Sequence, residues 1–289
     1  MPPIAIDAVP PAPAPPRLVD SHSHLDAAEF DPDRDAVVAR AQDAGVDAQV
    51  VPAVAASGFA KLREVCVAGD GLHAAYGLHP MYLAAHRPGD LDVLRDWIAR
   101  ERPVAVGECG LDHFVEGLDS GLQRTYFTGQ LELACEAGLP VIVHARRAVE
   151  EVIACIRGVG GRGALRGVVH SYSGSAEQAR RLFDLGFLLG FGGPVTYERA
   201  TRLRALVAGM PLDFLLLETD APDQPPAAHR GERNEPARLQ QVLDAVARLR
   251  GEEREAIAAA TTRNACTLFG LAATPPPARE RAVLPPGEP

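Results

Sequence analysis

Eight short apolar runs, each followed by a longer amphipathic one, recur along the chain and limit its fold more than any other feature. The short runs lie at 17–22, 47–54, 72–77, 103–108, 139–144, 167–171, 186–191 and 213–219. Runs of this length, rich in Val, Ile and Leu, read as strands buried on both faces of a parallel sheet. Between them, apolar residues at helical spacing predict helices at 33–44, 57–68, 90–101, 120–137, 147–157, 175–185 and 198–208. In 120–137, Leu122, Tyr126, Phe127, Leu131 and Ala134 share a face, and Ser120 is the expected N-cap. After the eighth run Leu239, Val242, Leu243 and Val246 form one apolar face, and a last helix at 252–269 stops at Gly270. Eight such units match the roughly 250 residues of a (β/α)8 TIM barrel. A doubly wound open sheet would show a glycine-rich phosphate turn after its first strand, where this chain has Ser21-His22-Ser23-His24. A single-domain barrel over 17–271 is therefore expected, with disordered Pro/Ala-rich tails at 1–16 and 272–289.

Composition narrows the class of function. A net charge of -9 leaves no basic sheath for long nucleic acid, so an anionic substrate must be held locally by cations and a few arginines. Residues 1–16 hold seven prolines and no basic residue, unlike a signal or transit peptide. No run of about 18 apolar residues predicts a membrane span, and no obligate protein partner is evident. Cys66, Cys109, Cys135, Cys155 and Cys266 are scattered without a C-x-x-C pair. That excludes a zinc ribbon and fits a reducing cytoplasm.

The histidines and carboxylates keep the register of the repeat. Residues i and i+2 of a strand share a face, so His22 and His24 are expected to converge on one point with Ser23 turned away. Glu108, His144, His170 and Asp220 each end a predicted strand. From His24 to Glu108 is 84 residues, three repeats of 28; Glu108 to His144 is 36, His144 to His170 is 26, and His170 to Asp220 is 50, two repeats of 25. Such groups would ring the mouth at the C-terminal ends of the strands, where barrels of this kind carry their active sites. Four imidazoles and two carboxylates suit two divalent cations bridged by a carboxylate, most naturally Glu108, about 3.5–4 Å apart. The expected chemistry is hydrolysis by activated water. Mixed N/O donors without thiolate allow Zn, Mn, Fe or Ni and do not exclude Mg.

These stretches carry a resemblance. VDSHSHLD (19–26), GLHP (77–80), GECGLD (107–112), LPVIVHARRA (139–148), GVVHSYSGS (167–175), LLLETDAPD (215–223), RNEP (233–236) and ATTRNACTLFG (260–270) together resemble the TatD-type metal-dependent deoxyribonucleases. The resemblance covers about 17–271 and implies a TIM barrel that removes nucleotides from DNA with two metals. Position by position it implies His22, His24 and Asp220 on one metal, His144 and His170 on the other, and Glu108 as the bridge. It further implies Asp220 as proton acceptor for the attacking water. The expected activity is 3′→5′ digestion of single-stranded DNA ends. The alternatives are hydrolysis of small phosphate esters, lactones or amides with the same metals, and a non-catalytic metal-binding role. His113 stands where many relatives have tyrosine, Ala145 and Arg147 replace Ser and Asp of a common H-S-R-D form, and Cys109 replaces an aliphatic residue.

Around the ligands several residues have both a functional and a structural reading. His79, Arg146 and Arg233 are the expected substrate contacts, the arginines as bidentate phosphate clamps; a loop histidine and surface salt bridges are the plain alternatives. Asp20, Glu218 and Glu235 either orient ligands or make structural hydrogen bonds. His73, His86 and His229 fall outside the register and read as ordinary loop or surface residues. Lys61, the only lysine, lies in the second predicted helix, so a lysine-bridged metal pair is not expected.

Overall fold

The computed structural model describes residues 16–272. Eight parallel strands pair in chain order: β1 (Leu18–Asp20), β2 (Val46–Pro52), β3 (Leu72–Tyr76), β4 (Ala105–Asp112), β5 (Val141–Arg146), β6 (Gly167–Val169), β7 (Phe187–Phe191) and β8 (Leu215–Leu217). The two ends of the sheet meet where the Ser21 N–H and hydroxyl both donate to the Leu217 carbonyl at 3.0 Å. The Asp220 N–H adds a 2.9 Å bond to the His22 carbonyl. This is the (β/α)8 barrel that the repeat predicts.

The helices wrap it as α1 (Arg34–Asp43), α2 (Phe59–Ala68), α3 (Asp90–Glu101), α4 (Ser120–Ala137), α5 (Val149–Ala164), α6 (Ala176–Phe183) and α7 (Thr201–Gly209), followed by α8 (Leu239–Arg250) and α9 (Arg254–Phe269). The N-cap of α4 is Asp119 rather than Ser120, its carboxylate accepting from the Leu122 N–H at 2.9 Å. A carboxylate at that end also meets the positive pole of the helix. Apart from Pro16 and Ala272, the expected tails lie outside the described residues.

Two layers of apolar side chains hold the barrel. Between strands and helices lie residues such as Val51, Phe59, Phe127, Ile153 and Leu243. Inside the barrel Val19, Val50, Ala75, Ala105, Ile142, Val168 and Leu216 pack together with Ala265, Leu268 and Phe269 of α9. Each large apolar side chain so buried contributes on the order of 1.5–3 kcal/mol. By plugging the barrel interior, α9 shuts the N-terminal mouth and leaves the polar mouth at the C-terminal ends of the strands. Among the described residues no helix is long and apolar enough to cross a membrane.

Strand ends differ from the expected ones in two places that matter. β1 stops at Asp20, so His22 and His24 lie beyond it, in a segment that still bonds both neighbours: Ser23 N–H to the Val50 carbonyl at 3.1 Å, and His24 N–H to the Ala221 carbonyl at 2.7 Å. β4 runs four residues past Glu108, to Asp112.

Candidate metal centre

A cavity of about 820 Å³ occupies the polar mouth, with His24, Glu108, His144, His170 and Asp220 in its wall. Glu108 is its centre, brought there by a β4 that hugs β5. At Gly110, whose φ is +143°, a Cβ would lie 2.0 Å from the His144 carbonyl oxygen, so only glycine lets the two strands approach. One Glu108 oxygen, Oε1, lies 2.8 Å from His170 Nε2, 2.9 Å from His79 Nε2 and 3.0 Å from His144 Nδ1. The other, Oε2, lies 3.0 Å from His22 Nε2 and 3.5 Å from His24 Nε2. Asp220 Oδ1 sits 3.5 and 3.6 Å from the same two imidazole nitrogens. All six residues singled out by register thus converge, His22 and Glu108 in the buried floor and His24 and His144 nearer the opening.

The donor atoms crowd one another in a way that suits cations. His22 Nε2 and His24 Nε2 are 3.2 Å apart, His144 Nδ1 and His170 Nε2 3.4 Å, and the His22 and His170 rings stack at 3.9 Å. Three groups, His22–His24–Asp220, His22–Glu108–His170 and His79–Glu108–His144, each offer ligand atoms within 4.8 Å of one another. Lone pairs facing lone pairs in a buried site repel unless protons or metal ions lie between them.

Protons are drawn unevenly into this cluster. Burial disfavours the His170 cation, yet the charge and hydrogen bond of Glu108, with Asp220 and Glu218 behind, raise its pKa to about 10. His24 is likewise opposed by burial and raised to about 9, mainly by Glu108. His22, fully buried and stacked on His170, is lowered to about 4. Burial acts against the Glu108 carboxylate as well, but the surrounding imidazoles hold it well below the usual carboxylate range. Burial pushes Asp20 up to about 7 and Glu218 up to about 8.

Not every expected neighbour reaches the cavity. Asp20 turns to the backbone, accepting from the His22 N–H at 3.2 Å and the Thr219 N–H at 3.0 Å, and so fixes the junction of β1 and β8. Glu218 accepts from the Ser171 N–H at 2.5 Å and lies 3.8 Å from His170 Nδ1. Arg146 lines the cavity, its guanidinium 3.7 Å over the exposed Phe114 ring. Arg233 does not: both its terminal nitrogens bind Asp33, at 2.7 and 2.8 Å, and one also reaches the Glu29 carbonyl. Glu235 is held by Arg40 and orients no histidine, His113 pairs with Glu151 at 2.9 Å, and Lys61 pairs with Asp31 at 2.7 Å. None of the three belongs to the cavity wall.

Tautomers can be read from the hydrogen bonds. His79 Nδ1 accepts from the Met81 N–H at 3.1 Å, so the neutral ring carries its proton on Nε2 and donates it to Glu108. His79 is therefore an N–H donor facing the cavity rather than a lone pair. Its backbone carbonyl accepts from His86 Nε2 at 2.9 Å, a supporting role for a residue that reads in sequence as an ordinary loop histidine. His144 works the other way. Its Nε2 meets Asp112 Oδ2 at 2.9 Å, which places the proton there and turns the Nδ1 lone pair to the centre. Asp112 escapes a reading that ends the fourth strand at Glu108. Extended to 112, the same strand puts Glu108, Gly110 and Asp112 on one face, and that was the available signal.

A family model described as TatD related DNase matches residues 19–270. The chain is 39% identical over 259 residues to the uncharacterized metal-dependent hydrolase YjjV of Escherichia coli K12, covering 88% of this chain and 98% of the relative. It is 37% identical to the uncharacterized metal-dependent hydrolase YabD of Bacillus subtilis, covering 88% of this chain and 99% of the relative. To the 3′-5′ ssDNA/RNA exonuclease TatD of Klebsiella pneumoniae it is 34% identical, covering 88% and 98%. The crystal structure of YjjV superposes with a TM-score of 0.84, covering 89% of this chain and 99% of that one. Similarity on this scale, running through every strand that supplies the cavity, shows that the chain belongs to the TatD-related DNase family.

Proposed function

We propose that this protein is a two-metal phosphodiester hydrolase that removes nucleotides from single-stranded DNA ends in the 3′→5′ direction. The observation that carries the reading is Glu108. Its two oxygens face two separate imidazole sets, His22 and His24 on one side and His144 and His170 on the other. In this reading His22, His24 and Asp220 would hold one divalent ion and His144 and His170 the second, with Glu108 serving both. Mg, Mn, Zn, Fe and Ni are all compatible with the N/O donor set. Bound there, the ions supply Lewis acidity toward a phosphoryl oxygen and acidify water to near neutrality.

The chain's own groups do the rest. Asp220, lying in the wall of the cavity, takes up the proton of the attacking water. Gln224 donates to the other Asp220 oxygen and keeps the carboxylate turned to the centre. The His79 N–H, donated to Glu108 Oε1, holds that carboxylate in place at the centre. Arg146, exposed and without a carboxylate partner among the described residues, offers a cation to the diester. That the Klebsiella relative is named an exonuclease of single-stranded DNA and RNA supports the choice of substrate.

Digestion of 5′-labelled single-stranded DNA with Mg²⁺ or Mn²⁺ tests this. A ladder shortening from the 3′ end is expected, and its loss in His22→Ala/His24→Ala. Equal behaviour of the two proteins, with no shortening by either, would sink the idea.

A further inference from the structure

The main cavity does not end at the metal-ligand cluster. A shallow annex of about 520 Å³ adjoins it, lined by Pro194, Tyr197, Arg199, Ala200, Gln224 and Pro225. Pro194 and Gln224 belong to both walls, so the annex borders the main cavity. A single phosphodiester centred on Glu108 has no use for this second space.

The annex is rigid. The Tyr197 hydroxyl donates to the Pro225 carbonyl at 3.1 Å and fixes the ring. Thr196 ties the two segments together, donating to the Gly193 carbonyl and accepting from the Ala227 N–H, both at 2.7 Å. Gln224 is anchored by the Ser171 hydroxyl at 2.9 Å and by Asp220. It presents a half-buried aromatic ring and one cation. Arg199 is exposed, lies 5.6 Å from the Tyr197 ring centroid, and has no carboxylate partner among the described residues. In a chain of net charge -9, an unneutralised guanidinium beside the catalytic mouth is a local exception to the general field.

A ring with a guanidinium held loosely over it, next to a phosphate-handling centre, fits a nucleotide. We propose that the annex binds the nucleotide adjoining the scissile phosphate in a single-stranded nucleic acid, its base stacked on Tyr197 and its phosphate paired with Arg199. A base inside a duplex is stacked on both faces by its neighbours, so the site selects single strands over duplex. The inference rests on the phosphodiesterase reading above and adds the residues that hold the substrate beyond the scissile bond.

The test separates the two. Binding is followed by fluorescence anisotropy on the Mn²⁺-loaded full chain, using a hydrolysis-resistant phosphorothioate oligothymidylate and a set with one abasic residue moved along it. Hydrolysis is followed separately on wild type with an ordinary oligonucleotide. Stacking is worth about 5- to 150-fold in affinity per base. Tyr197→Ala should weaken binding by that factor and make the protein indifferent to the abasic position that most hurts wild type; Tyr197→Phe, which keeps the ring, should bind like wild type. Arg199→Ala should flatten the salt dependence by about one counterion. If wild type digests DNA while Tyr197→Ala binds every probe as wild type does, the annex is not a base site and the phosphodiesterase reading survives. If binding responds as described but no DNA is cut, the annex stands and the reading falls. Failure to bind any probe overturns both.

Discussion

Substituting Asp112 by Asn probes the metal centre through a single proton. Asp112 Oδ1 accepts from the Phe114 and Val115 N–H groups at 2.8 and 2.9 Å, while Oδ2 faces His144 Nε2. Its own backbone is locked by Gln123, which accepts from the Asp112 N–H at 2.7 Å and donates to its carbonyl at 3.0 Å. In Asp112→Asn the amide oxygen keeps the two backbone donors, so the NH2 must point at His144. The imidazole then protonates Nδ1, the atom facing Glu108, and loses the lone pair required for a cation. The opposite amide orientation would leave two N–H groups without an acceptor, at a cost of about 1–3 kcal/mol each. Either way one ion is held less tightly, by about 10- to 100-fold, which is roughly 1.4–2.8 kcal/mol. The fold itself should tolerate the change, because the side-chain oxygen that accepts from the two backbone N–H groups persists. Asp112→Ala removes that acceptor as well, and should cost about 2–3 kcal/mol of stability. For a chain of this size that is roughly 4–6 °C in Tm. The assay is competition of EDTA-stripped protein against a chromogenic chelator, with Tm read in parallel. Wild-type affinity for both ions in Asp112→Asn would refute the tautomer assignment.

Further outcomes follow from the same geometry. Protons and metal compete for the same nitrogens, so loading near pH 7 should release about two protons, seen as a buffer-dependent heat in calorimetry. The folded-state pKa values of His24 and His170, about 9 and 10, lie above the unfolded value. Their contribution to the stripped protein is therefore complete below about pH 6.5 and is lost as pH rises toward 10. Its Tm should decline over that window while metal-loaded protein stays flat, and a flat stripped protein would contradict the assignment. Glu108→Gln removes the charge shared by both imidazole sets; elemental analysis should fall below two ions per chain, with activity down by about 10³-fold or more. At Gly190 a Cβ would lie 2.1 Å from a buried Glu218 oxygen, so Gly190→Ala should push that carboxylate onto His170. Overpacking of this kind costs about 1–3 kcal/mol, visible as a lower denaturant midpoint and weaker loading.

The sequence by itself determined the barrel and the six side chains that converge at its polar mouth. A buried parallel strand needs a continuous apolar run and a helix needs a 3.6-residue period, so eight alternations leave few architectures open. Ligands at strand ends inherit the period of the repeat, which is why His22, His24, Glu108, His144, His170 and Asp220 could be gathered from spacing alone. What spacing could not supply was everything set by the third dimension. Arg233 has the residue type and the loop position of a phosphate clamp, but Asp33, 200 residues away in the chain, holds it. Asp112 acts on His144 through a bond between neighbouring units, and the spacing of the repeat does not show that bond. Which nitrogen of His79 or His144 carries a proton depends on an N–H or a carboxylate placed by tertiary packing. The annex at Tyr197 exists because the turn after β7 and the segment after β8 close against each other. Local period is written in the order of residues, whereas hydrogen-bond partners and cavity walls are chosen only when distant segments meet.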